Sequence, residues 1–210
     1  KKTLWSIAGG LSGKIGRDLT VGASALRTPF DETALLIANN VVITEFGGEA
    51  SVALPARFTL SGAGSHAQLT GGSRDNSRLA FNGTLRWNQS RNWSIALGAR
   101  HFGYDTTSAD GYFAPRNYTL GELSTRGHIG ANLGWYSDAE AAVGSQRLEF
   151  FGSTATSRAT ERGGLSLGYR FDPAREVSVS GLYANVAGPT QTTSSEYHWY
   201  TFSLRARLGF

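Results

Sequence analysis

The sequence predicts an all-β chain, an antiparallel up-and-down β-barrel that crosses a membrane with its strands. Three observations lead there. Apolar and polar residues alternate with a period of two along most of the chain, and short and long connections alternate between the alternating runs. The apolar runs are short (34–38, 41–43 and 139–143), and none approaches the roughly 20 residues of a spanning helix.

Composition agrees. Among 210 residues there are 27 Gly and only 5 Pro, which suits curved, hydrogen-bonded sheet better than helix. Aromatics at 11% and charged residues at 17% exclude a disordered chain. The length fits a single domain, 1–210. The net charge is +4, but the cations are spread singly, so no nucleic-acid partner is predicted. The chain has no Cys, which raises no redox problem in an oxidising compartment. It opens on Lys1-Lys2 rather than Met, as expected of a processed or truncated product whose export signal is removed or lies upstream.

Taken in order, the alternation predicts about eleven strands, near 3–13, 18–27, 40–54, 57–69, 78–88, 93–104, 117–136, 139–150, 162–171, 176–186 and 196–210. The last is the clearest. Tyr200, Phe202, Leu204, Ala206, Leu208 and Phe210 alternate with Thr201, Ser203, Arg205, Arg207 and Gly209. Phe81, Gly83, Leu85 and Trp87 alternate with Asn82, Thr84, Arg86 and Asn88, and Ile129 to Trp135 continue a period begun at His128. Around 140–150 the parity shifts, because Ala141 and Val143 share one register and Leu148 and Phe150 the other. A bulge there would leave the facing of Arg147 open. Short turns are predicted at 14–18, around Pro55, at 89–92, at Ser137-Asp138 and at 172–175; longer polar loops at 28–39, 70–77, 106–116, 152–161 and 188–195. Such sorting of loops is what bacterial outer-membrane barrels show.

Cost decides which face meets lipid. Arg86, Arg100, Arg170, Arg205 and Arg207 sit near strand middles on the polar side. Each would cost roughly 2–4 kcal/mol at the bilayer midplane, and together they would exceed the ~5–15 kcal/mol stability of a typical domain. The apolar face is therefore predicted to point outward and the Arg face inward. Trp5, Trp87, Trp93, Trp135, Tyr136, Trp199 and Tyr200 lie near strand ends, as an interfacial girdle requires. The last strand, ending in Phe210, resembles the signal read by the outer-membrane assembly machinery.

An odd strand count conflicts with the even number of single-chain bacterial barrels. Either a strand lies unrecognised within 33–40, or strands upstream of Lys1 belong to the same barrel, for a total of 12 to 16. The second is the expectation here.

Gly111-Tyr-Phe-Ala-Pro-Arg-Asn-Tyr118 resembles the GYFSP-x-x-Y signature of outer-membrane exopolysaccharide-secretion porins, the cellulose-export porin and its relatives. Leu26-Arg-Thr-Pro-Phe-Asp-Glu-Thr-Ala-Leu-Leu36 is similar to their R-x-P-V-T-D-S-x-L segment. Ala114 stands where Ser is usual, and the second motif is degenerate. The resemblance implies the C-terminal part of a 16-stranded barrel that follows periplasmic helical repeats. It also implies passage of a polysaccharide handed on by an inner-membrane synthase, in the bacterial outer membrane.

Glu45, Glu49, Arg86, Arg100, Arg126, His128, Arg170, Arg205 and Arg207 are the candidate pore-lining and binding residues. Arg offers several donors in a fixed fork and suits carboxylate, phosphate or sugar hydroxyls; Arg–Glu pairing that only holds the wall is the alternative. Gly164-Leu-Ser-Leu-Gly168 matches the nucleophile-elbow pattern but lies inside an alternating run, and 62–67 matches a dinucleotide fingerprint with no helix after it. The four His are isolated, so no metal, cofactor or catalytic residue is expected. The expected function is a polysaccharide-export channel whose partners are outer-membrane lipid, the polysaccharide and synthase components. The alternatives are a small plugged barrel that anchors a partner complex, and a rim enzyme using His101, Asp105, Asp110 or His198.

Overall fold

A computed structural model describes residues 5–30, 34–186 and 198–208. Its strands are β1 (Ile7–Ile15), β2 (Leu19–Pro29), β3 (Val42–Leu54), β4 (Phe58–Thr70), β5 (Asn76–Trp87), β6 (Trp93–Tyr104), β7 (Asn117–Gly130), β8 (Gly134–Glu149), β9 (Thr156–Arg170), β10 (Glu176–Ala184) and β11 (Trp199–Arg207). They form one sheet in chain order, every neighbouring pair antiparallel. β1 and β11 remain its two edges, so among the described residues the sheet is not closed. The final Phe210 lies outside the described residues.

Short connections at 16–18, Pro55–Arg57, 88–92, 131–133 and 171–175 gather at one end; the strand ends joined through 71–75, 105–116 and 150–155, with the C-terminal ends of β2 and β10, gather at the other. The sorting is less strict than the sequence suggests, because 71–75 is no longer than 88–92. Of the segment 33–40, the described residues 34–40 hold no strand. They contain a short helix, α1 (Ala34–Ala38).

Three boundaries differ from expectation. The turn predicted at Ser137-Asp138 falls at 131–133, between Gly130 and Gly134 at φ 135° and 92°, a backbone only Gly enters cheaply. Ser137 and Asp138 are ordinary β8 residues, opposite Ile129 and His128. β9 begins at Thr156, so the loop predicted over 152–161 shrinks to 150–155. Nor is there a bulge in β8, whose register with β9 runs unbroken from Gly134 to Leu148. Arg147 therefore shares the face of Ala141 and Val143, and the parity shift has another cause: Leu148 faces the polar side, where it packs against the cluster of Phe113, Tyr118 and Leu120.

The registers place every strand residue on one of two faces. One carries Leu11, Phe46, Leu60, Phe81, Leu97, Leu123, Val143, Leu165, Phe202 and Leu204, all exposed. Phe202 and Leu204 are 78% and 74% exposed. The other carries Ser, Thr, Gly, Arg and Glu, and here Ala67, Ala96, Ala142, Thr160 and Ala184 are buried with no second layer over most of them. Curvature explains the inversion. Side chains converge on the concave side of a sheet and diverge on the convex side. The contacts Glu45–Arg78, Glu122–Arg162 and Tyr136–Glu176 each reach across an intervening strand, and all lie on the polar face. The polar face is concave.

Along the strand axis the convex face is also divided. Its apolar belt starts at the short-turn end, where Phe58 stacks on Trp87 at 6.3 Å and Trp135 meets Tyr169 at 5.2 Å. Toward the long-loop end it gives way to His66, His101, Arg147 and Glu161. Of the predicted girdle, Trp5, Trp87, Trp93, Trp135 and Tyr200 stand on this side. Tyr136 and Trp199 do not: their register partners, Gly168 and Ala184, put them on the concave face.

Candidate functional site: the concave polar face

All nine residues singled out by sequence lie on the concave face, at even or odd positions according to strand. Glu45 pairs with Arg78 at 3.1 Å, reaching over the buried Ala67. Arg126 meets Glu140 at 3.0 Å, and His128 meets Asp138 at 2.8 Å. Arg170 bonds Glu176 at 3.0 Å and lies over the Tyr136 ring at 5.0 Å. Arg100 sits over the Phe102 ring at 5.2 Å, and Arg207 donates to the Pro173 carbonyl at 2.6 Å. Glu49 faces the small floor of Gly22 and Gly47, Arg86 lies near Arg126 and Arg162, and Arg205 stands exposed on the edge strand.

The partners are what the sequence reading missed. Glu140 holds both Arg126 and Arg162, the latter at 2.9 Å, and Arg162 also approaches Glu122 at 3.9 Å. Arg162 shares the parity of Arg170 within the predicted strand 162–171, which would have found it, whereas the parity shift within 139–150 left the facing of Glu140 open. Arg78 shares the parity of Arg86, which would have found it. Tyr136 donates to Glu176 at 2.7 Å across Gly168, where a β-carbon would collide with the Tyr136 ring. Gly168→Val is expected to unseat Tyr136 and to weaken its contact with Glu176; quenching of tyrosine hydrogen exchange in the wild type but not in the variant checks this.

At the long-loop end two connections fold inward over the concave face. Leu36 of α1 packs with Val41, Ile43, Ala67, Leu69, Tyr104, Tyr112 and Ala114. Phe113 packs with Tyr118 and Leu120. The two segments that carry the family resemblance thus meet: Phe30 stands edge-on to Tyr112 at 5.6 Å. Rings continue from Tyr112 through Tyr104, Phe102 and Tyr118 to Phe113 and Phe150. Tyr104, Tyr112, Phe113 and Tyr118 are buried and Phe30, Phe102 and Phe150 partly so, and together they form the core of an inward-folded cap.

Asp110 ties the cap together. It is 1% exposed. It accepts hydrogen bonds from the Asn39 amide at 2.6 Å, the Ser73 backbone N–H at 3.1 Å and the Ser73 hydroxyl at 2.8 Å, joining three connections. Burial pushes its carboxyl up, but these donors together outweigh burial and hold it below the ordinary 3.8. The ion's stabilising effect is complete above about pH 3.8 and is lost as pH falls through the lower folded value. Pepsin is therefore expected to cut within 105–116 slowly at the upper end of its range and increasingly below that value, and Asp110→Asn is expected to flatten the dependence. Asn76 reinforces the cap, donating to the Thr106 carbonyl and, at 2.8 Å, to the Tyr112 hydroxyl.

The rim residues take separate partners. His101 pairs with Thr119 on the convex side, Asp105 accepts from Ser77, and His198 pairs with Tyr183. Gly164–Gly168 runs straight through β9 and residues 62–67 through β4, so neither makes the turn its motif requires. Among the described residues no three His, Asp or Glu side chains are grouped to hold a metal ion. Comparison with protein-family models and with curated proteins gave no match.

Proposed function

We propose that the sheet is wall from an outer-membrane β-barrel, and that its concave face lines a passage for a polysaccharide supplied by an inner-membrane synthase. The observation that carries this reading is the inverted distribution of side chains. A convex belt of large exposed apolar residues backs onto a concave lattice of ion pairs. Monomeric proteins in water rarely expose contiguous apolar patches beyond a few hundred Å². The belt on β6 runs from Trp93 to about His101. At ~3.4 Å per residue and a tilt of ~40° it is roughly 20 Å tall, close to the ~25 Å band of outer-membrane barrels.

The edges fit the same reading. β1 and β11 run in the same direction, so joining them directly would make a parallel pair. An all-antiparallel closure takes an odd number of further strands and gives the even total such barrels have. The concave lattice offers mixed charges and many hydroxyls, suited to a hydrated chain that must slide rather than lodge. The inward-folded cap favours the second reading, a plugged barrel that anchors other components. Planar-bilayer recordings of the full-length protein separate the two. Stepwise conductance that rises when 105–116 is deleted supports a passage closed by the cap. A silent membrane with and without the deletion contradicts it.

A further inference from the structure

Four of the five tryptophans stand on the convex side, where an indole is at home against lipid. Trp199 alone projects from the concave, polar face, half-buried opposite Ala184. It borders a cavity of about 570 Å³ whose other walls include Thr201, Ser166, Asp138, Glu140 and Arg126. That volume lies within the ~300–1,000 Å³ of small-molecule sites. An indole on such a wall leaves apolar surface in water, at a cost an alanine or serine would avoid. We infer that Trp199 is the platform of a binding subsite for a neutral glycan, a reading that rests on the proposed passage of polysaccharide and specifies where the sugar rests.

The chemistry fits a sugar ring. A pyranose presents an apolar face of C–H bonds that lies flat on an aromatic ring, while its hydroxyls need surrounding donors and acceptors. Thr201, two residues along the same face, and Ser166, farther along the cavity, supply hydroxyls. The charges are already balanced. Glu140 is shared between Arg126 and Arg162, and Asp138 is bonded to His128. A polyanion would meet two carboxylates with no surplus of cations, so a neutral polymer is the better occupant. Trp199 also shields Ala184, which is fully buried, and the test must separate that packing from recognition.

The experiment is calorimetric titration of the full-length protein in detergent micelles with a glucose hexasaccharide and, in parallel, a uronate hexasaccharide. The glucose oligomer is expected to bind and the uronate to bind at least about tenfold more weakly. Trp199→Ala is expected to lower glucose-oligomer affinity about tenfold, ~1.4 kcal/mol, while Trp199→Phe, which keeps a ring, stays within about threefold. If Trp199→Ala does not fold, the tryptophan emission change on sugar addition is read instead: it is expected in the wild type and absent from Trp199→Phe. No binding by the wild type, equal binding by Trp199→Ala, an emission change that persists in Trp199→Phe, or a preference for the uronate overturns the subsite. A conducting protein that binds no sugar removes the subsite and leaves the passage; a silent one that binds it at Trp199 does the reverse.

Discussion

Leu97→Arg is expected to destabilise the protein in phospholipid vesicles by about 2–4 kcal/mol, whereas Gly98→Arg, one residue along, is expected to cost under about 1 kcal/mol. Leu97 is 59% exposed on the convex face, level with Leu85 and Leu123 on the neighbouring strands. In the proposed barrel a guanidinium there would enter hydrocarbon with no carboxylate to meet it. Gly98 faces the concave side, level with Glu122, and a β-carbon on it meets nothing closer than 3.8 Å. Urea titration in vesicles reads both variants. Equal costs at the two positions would mean that the faces do not differ in surroundings.

Tyr118→Ala is expected to cost about 3–5 kcal/mol, the range for large aromatic-to-alanine changes in packed cores. Tyr118 is 1% exposed, lies 4.8 Å from the Phe102 ring and 6.4 Å from that of Phe113, and its hydroxyl reaches Gln146 at 3.3 Å. The truncation leaves a cavity where the cap meets the wall. Tyr118→Phe removes only the hydroxyl contact and is expected to cost about 1 kcal/mol. Thermal unfolding in micelles compares them, and proteolysis within 105–116 reports whether the loss is confined to the cap. A large effect from Tyr118→Phe, or none from Tyr118→Ala, would show that the ring cluster does not hold the cap.

How much of this was legible in the sequence follows from where side-chain pattern alone decides backbone. Facing was legible. Period two fixes it locally, and all nine proposed lining residues share one face although they come from six strands. The turn at 131–133 was not, because Ile129, Leu133 and Trp135 keep the same parity through it; the signal there is the glycine pair Gly130 and Gly134. The start of β9 was hidden because Thr156, Ser157, Arg158 and Glu161 lie where the convex face is itself polar, so no alternation marks the strand. The cap is tertiary. Nothing local tells Asp110 that Asn39 and Ser73 will be its partners, and the two resembling segments are joined only by folding. Trp199 lies near a strand end, as a girdle requires, but its parity puts it opposite Ala184 on the concave face.

The most direct test of the whole account uses the absence of cysteine from this chain. Single cysteines at 95 to 100 in β6, spin-labelled in the full-length protein in liposomes, report contact with dissolved oxygen, which concentrates in hydrocarbon, and with a water-soluble nickel chelate. Oxygen contact is expected to peak at 95, 97 and 99, and nickel contact at 96, 98 and 100. A flat profile, or the opposite phase, would contradict it.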